Sequence, residues 1–249
     1  MTTTNTRFAW ILVLATAAAC GGASGAVKPK PLQFHFKEQY LAKVPPEQKT
    51  EVRAAKAEYN RAVQENRKAE SDYANSKKAV EQAEAEASRA HGQKEAADSQ
   101  RSAAEDSKDG KNWQALNAAK RDQRVAEVTQ RAADQKVDMV KAQRSWLEKY
   151  VKYTRENVFT VEAKYELAKA NAARAHNIAP PDFAYQAYVD QYEKRRQKSD
   201  KLKGPADGQK QAWLDEKKDY EAKRHDENEA RGIDTAATSD KPGKSGDKK

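Results

Sequence analysis

The chain has 249 residues, of which 34% are charged and 37% hydrophobic, with a formal net charge of +9. Only five Phe and four Trp are present, so apolar material is too thin for a large central core. Ala, Glu, Lys, Arg and Gln dominate, which excludes an ordinary compact globule and predicts an all-α chain of long helices.

Residues 1–19 have the build of an export signal. Arg7 is the early charge, and residues 8–19 form an apolar run too short to span a bilayer. The run ends Ala17-Ala18-Ala19-Cys20-Gly21-Gly22, and Cys20 is the sole cysteine, so no intrachain disulfide forms. Over about the first 25 residues this stretch resembles the precursor signal of bacterial lipoproteins, whose small-residue box ends in the cysteine that is lipidated. The chain departs from that pattern at Ala17, where the family most often has Leu. The resemblance implies a diacylglyceryl group and an N-acyl chain on Cys20, and several acyl chains together anchor stably. Gly21 stands where Asp in that family marks inner-membrane retention, so the resemblance implies the periplasmic face of the outer membrane. The alternative is an ordinary secretory signal cleaved at the Ala17-Ala18-Ala19 box, giving a secreted or soluble periplasmic protein.

Residues 20–46 read as a lipidated tether. Leu32-Gln33-Phe34-His35-Phe36 alternates apolar with polar, a weak extended-strand signal without an evident partner strand. Its aromatics are expected to tuck against the helices. Pro45-Pro46-Glu47 then opens the first long helix, with proline in the first turn and an acid beside it.

Residues 47–178 form the organising feature, an antiparallel helical hairpin about Gly110. An unbroken heptad runs over 52–104. Its a positions include Val52, Tyr59, Asn66, Tyr73 and Val80, and its d positions are Ala or Ser throughout. A second heptad runs over 116–175, with Val137, Val140, Leu147, Val151, Val158 and Val161 among its a and d positions. Such a repeat supercoils two helices left-handedly. In an antiparallel pair a faces d, and facing residues here have numbers that add to 220, such as Val52 with Ala168 and Tyr73 with Leu147. Small residues oppose large ones, which lets the backbones approach. Asn66 is expected to face Thr154, and Ser76 to face Arg144. Toward the turn the seam becomes Ala against Gln, Lys and Arg, so that half buries little and is the weaker. At ~1.5 Å per residue the paired region spans about 80 Å.

Pro180-Pro181 is expected to stop the second helix. Residues 179–231 then read as two shorter helices, 182–203 and 206–231, broken at Gly204-Pro205. Residues 232–249, rich in Gly, Ser, Thr, Asp and Lys, read as a disordered tail.

Residues 47–108 carry 12 basic and 13 acidic groups, and residues 111–178 carry 14 and 8, so the second helix is the basic one. This excess is expected to be a solvated coiled-coil flank. An exported protein meets no cytoplasmic nucleic acid, so that partner is not expected. His35, His91, His176 and His225 lie outside metal-ligand spacing of one another, and the chain shows neither a phosphate loop nor a nucleophile elbow. No catalytic, cofactor-binding or metal residues are therefore assigned, and an enzyme is not expected.

One cluster off the seam stands out: Trp146, Tyr150 and Tyr153, with Lys149 and Lys152 between them, at positions c and g of the second heptad. It either receives the folded-back helix 182–203 or the aromatics of the tether, or it is a surface for a protein or cell-wall glycan partner. The functional expectation is a non-enzymatic, lipid-anchored rod of the cell envelope that acts as scaffold, spacer or binding surface. Two alternatives share the hairpin: a periplasmic chaperone-like client binder, which resembles it in charge and shape but has a β-rich body, and an efflux-adaptor hairpin, which sits within a β-domain.

Overall fold

The computed structural model describes residues 30–106, 112–178, 180–181 and 183–233. The expected signal peptide, Cys20, the turn at Gly110 and the tail from residue 234 lie outside the described residues. A short helix α1 (Glu38–Leu41) and a 3₁₀ turn (Pro46–Lys49) lead into α2 (Thr50–Asp106), α3 (Trp113–Ala175) and α4 (Tyr185–Ala230). The architecture is all-α, without a strand among the described residues. At ~1.5 Å rise, α3 is about 95 Å long and α4 about 69 Å.

The hairpin register is the one that the heptads specify. Every buried residue of α2, from Val52 and Ala55 to Ala90 and Ala97, occupies an a or d position. Thr154 Oγ1 donates to Asn66 Oδ1 at 3.0 Å, the expected polar pair in the seam. Val80, Ala83, Val137 and Val140 cluster at matched heights. Charges flank the seam: Lys164 with Glu58 at 2.6 Å, Arg155 with Glu70 at 2.8 Å and Lys141 with Glu84 at 2.8 Å. The expected Ser76–Arg144 pair does not form. Ser76 Oγ instead donates to the Tyr73 carbonyl at 2.6 Å, because a serine in a helix can bond the preceding turn without ordering a long partner.

Near the turn, polar side chains hold the seam that Ala cannot. Lys94 binds Asp98 at 2.6 Å, Gln123 donates to Asp98 at 2.7 Å, and Arg101 donates to Gln123 at 2.9 Å. His91 bridges Asp134 and Gln130 across the same stretch, at 2.9 and 3.1 Å.

α3 ends before the two prolines. Asn177 takes φ 53°, and the N–H groups of Ile178 and Asn177 donate to the carbonyls of Ala173 and Arg174. This is a Schellman cap with Asn in the left-handed position. Gly232 (φ 70°) caps α4 in the same way, with Ile233 N–H bonding the Asn228 carbonyl.

The expectation of two shorter helices is corrected. α4 runs unbroken through Gly204 and Pro205, and Pro205 lies inside it. The reason is a third heptad that ignores the Gly-Pro step. Tyr192, Ser199, Ala206, Trp213 and Tyr220 recur every seven residues, as do Tyr188, Arg195, Leu202, Gln209 and Glu216, and all are buried or half-buried. Between residues 194 and 226 every other position except Lys223, itself part of the second series, is exposed, including Gly204 and Pro205. Proline removes one helical hydrogen bond and crowds the preceding turn. Packing on both sides of the step outweighs that local penalty.

α3 is therefore the central helix, packed against α2 along one face and against α4 along another. The α4 contacts form a second antiparallel register. Arg195 meets Glu156, Trp213 meets Trp146, Glu216 meets Gln135, and Glu227 meets Thr129. Glu227 stands level with Thr129 and α4 ends three residues later at Ala230, beside Arg124 and Glu127, so roughly 20 Å of α3 beyond it is paired with α2 alone.

Candidate functional site

Two neighbourhoods gather unusual side chains, and both lie where α3 meets α4. The first holds the N-terminal segment 30–44, a strap lying along the proximal part of the rod. Leu32, Phe36, Leu41 and Val44 are buried, and Phe36 is 3% exposed. Phe36 sits in the main apolar cluster with Val52, Ala55, Ala168, Ala170 and Ala173. Its ring meets Phe183 edge-on at 5.8 Å and Tyr188 at 6.3 Å. The alternation Leu32, Phe34, Phe36 forms neither strand nor helix: the chain bends at Gln33, and its partners are helices.

The strap backbone is held by rod side chains. The N–H groups of Gln33 and Phe34 both donate to Gln191 Oε1, at 2.8 and 2.9 Å, and Gln191 Nε2 donates to the Phe34 carbonyl at 2.9 Å. Phe36 N–H donates to Glu166 Oε2 at 2.6 Å. Tyr188 donates its hydroxyl to the His35 carbonyl at 3.3 Å. Arg195 donates to the carbonyls of Lys30 and Pro31. Backbone polar groups removed from water need partners, and without a neighbouring strand these side chains supply them.

Ion pairs lie beneath the strap. Arg195 Nη1 binds Glu156 Oε1 at 2.9 Å, with both side chains under 10% exposed, and the guanidinium stands 5.1 Å from the Phe159 ring centre. Lys169 binds Glu166 at 2.8 Å and Glu38 at 2.9 Å, and lies 4.4 Å over the Tyr165 ring. Burial pulls the Lys169 ammonium down, but its bonds to Glu166 and Glu38 carry it above the ordinary lysine value. Burial pushes the neighbouring Glu162 carboxyl up, and the charge of Glu166 adds to that.

The second neighbourhood is an aromatic column. Trp146 stacks on Trp213 of α4 at 4.8 Å, with ring planes 4° apart, and meets Tyr150 at 5.4 Å. Tyr150 meets Tyr153 at 6.2 Å and donates its hydroxyl to Glu65 of α2 at 2.5 Å. Burial first, then that bond to a carboxylate, hold the Tyr150 phenol far above its usual value, and burial also raises Tyr153. The five residues singled out from the sequence are not one surface. Trp146, Tyr150 and Tyr153 are half-buried between α2 and α4, whereas Lys149 is exposed and Lys152 turns back to Glu148 at 2.6 Å. Trp213 keeps a buried Nε1–H without an acceptor.

Gln191, Arg195, Glu156 and Glu166 were not legible as a group. Glu156 and Glu166 lie off the hairpin seam and read as solvated flank. The seven-residue spacing that carries Arg195 was the available signal. At the far end of α4, His225, Asp226 and Glu229 bring three ligand-type atoms within 4.8 Å of one another, but all three residues are exposed. Among the described residues no helix is long and apolar enough to cross a membrane. No protein-family model, curated protein or solved structure matches this chain.

Proposed function

We propose that the chain is a non-enzymatic, lipid-anchored helical rod of the bacterial cell envelope, held through Cys20 at the periplasmic face of the outer membrane, where it spaces or scaffolds. The observation that supports this reading is the strap. Cys20 precedes Lys30 by ten residues, which span at most ~36 Å when extended. A pull on an acyl group at Cys20 would reach the rod through the strap, whose backbone is bonded to α3 and α4 and whose Leu32 and Phe36 are buried. The rod is thereby fixed on its flank near Glu156. From there α3 runs about 65 Å to Trp113, so a free arm projects from the attachment.

The test is incorporation of radiolabelled palmitate, with fractionation. The wild-type chain is expected to take up label at Cys20 and to partition with membranes. Cys20→Ser is expected to lose the label while keeping its helical circular dichroism. An unlabelled, soluble wild-type chain would end the membrane-tethered reading and leave the rod.

A further inference from the structure

The strap is bound as a peptide ligand is bound. Over residues 30–36, seven main-chain polar atoms are met by four side chains, Gln191, Glu166, Tyr188 and Arg195. None of these bonds reads a strap side chain. Specificity resides in two buried anchors four residues apart, Leu32 and Phe36. Main-chain bonds that give affinity, with pockets for spaced side chains that give specificity, are a recurring mode of peptide recognition.

We infer that the α3–α4 groove is a peptide-binding site for a non-helical segment with apolar residues four apart, and that the strap, residues 30–44, of a second copy exchanges into it. The second copy is favoured because the anchors and the groove already match within one chain. The strap ends at buried Val44 and joins α2 through residues 45–49, a connection that is exposed or half-buried and makes few bonds besides its own turn. Exchange of an identical element replaces each cis contact by the same contact in trans, so it costs little beyond association. This goes beyond the anchoring role and does not depend on lipid.

The experiment has two arms, both in a Cys20→Ser background. In the first, one batch carries Gln33→Cys and another carries Lys194→Cys, two positions that line the same cavity beside the strap. Mixed and mildly oxidised, they are expected to give a disulfide-linked heterodimer, which excess synthetic peptide 30–44 suppresses. In the second arm, a fluorescent peptide 30–44 is titrated into the full chain carrying Leu32→Ala and Phe36→Ala, whose groove is unaltered. Saturable binding is expected, and adding Gln191→Ala should weaken it about tenfold, because three bonds are lost. Peptide binding without a mixed disulfide would refute the second copy as occupant. A peptide that binds no better than its scrambled sequence would refute the site. If the double alanine variant fails to fold, the disulfide arm still decides, since its anchors and hydrogen-bonding groups are unaltered.

Discussion

Breaking the Glu156–Arg195 pair tests whether the α3–α4 junction is held by a desolvated charge. The two side chains are 7% and 9% exposed, so water screens them little. Glu156→Leu leaves a buried guanidinium with the carbonyls of Lys30 and Pro31 and the face of Phe159 as its neighbours. Removing one partner of such a pair costs about 3–5 kcal/mol. For a chain of this length that is a fall in Tm of roughly 6–20 °C. Arg195→Met strands Glu156 in the same way. The double variant Glu156→Leu/Arg195→Met strands neither charge. It loses the bonds to the strap carbonyls, worth about 1 kcal/mol each and less for the contact at 3.5 Å. It is therefore expected to be more stable than either single variant. Thermal and urea unfolding followed at 222 nm measure all four proteins. Single variants that lose under ~1 kcal/mol, with a double variant that loses their sum, would show an ordinary surface pair and refute the argument.

Three further outcomes follow from named contacts. Ala69→Cys with Val151→Cys, in the Cys20→Ser background, is expected to form a disulfide, since both residues are buried in the α2–α3 seam at matched height, whereas Arg67→Cys with Val151→Cys should not; equal linking on a non-reducing gel would break the register. Gly204→Ala is expected to stabilise α4 by about 0.5–1 kcal/mol, because a Cβ there meets nothing within 4 Å and the residue is exposed; Pro205→Ala, equally exposed, should gain more, and a loss in either would show that the step is needed for packing. Glu162 carries a raised carboxyl, so as pH climbs the unfolded chain gives up its proton first, and stability falls until the folded value is passed. Glu162→Gln should remove that fall and raise Tm at neutral pH more than at pH 4, whereas equal shifts at both pH values would refute the assignment.

The hairpin was legible because its information is one-dimensional. Val52 faces Ala168, Ala55 faces Tyr165 and Asn66 meets Thr154, at heights that residue numbers alone specify, since a 3.5-residue repeat leaves an antiparallel pair one register in which small meets large. The all-α class and the closing of α3 near residue 177 were legible for related reasons, although Asn177, rather than the proline pair, makes the cap. Three features were decided only by tertiary structure. Gly204-Pro205 is a breaker by local propensity, and α4 crosses it because Leu202, Ala206 and Trp213 pack on α3 on both sides of the step. Trp146, Tyr150 and Tyr153 read equally well as a partner surface or a covered face until Trp213 and Glu65 were brought against them. The strap is fixed by bonds from Gln191, Glu166 and Arg195 to main-chain atoms, and main-chain atoms are the same in every residue. An interaction that does not read side chains leaves no pattern in the sequence, so only the folded chain could place it.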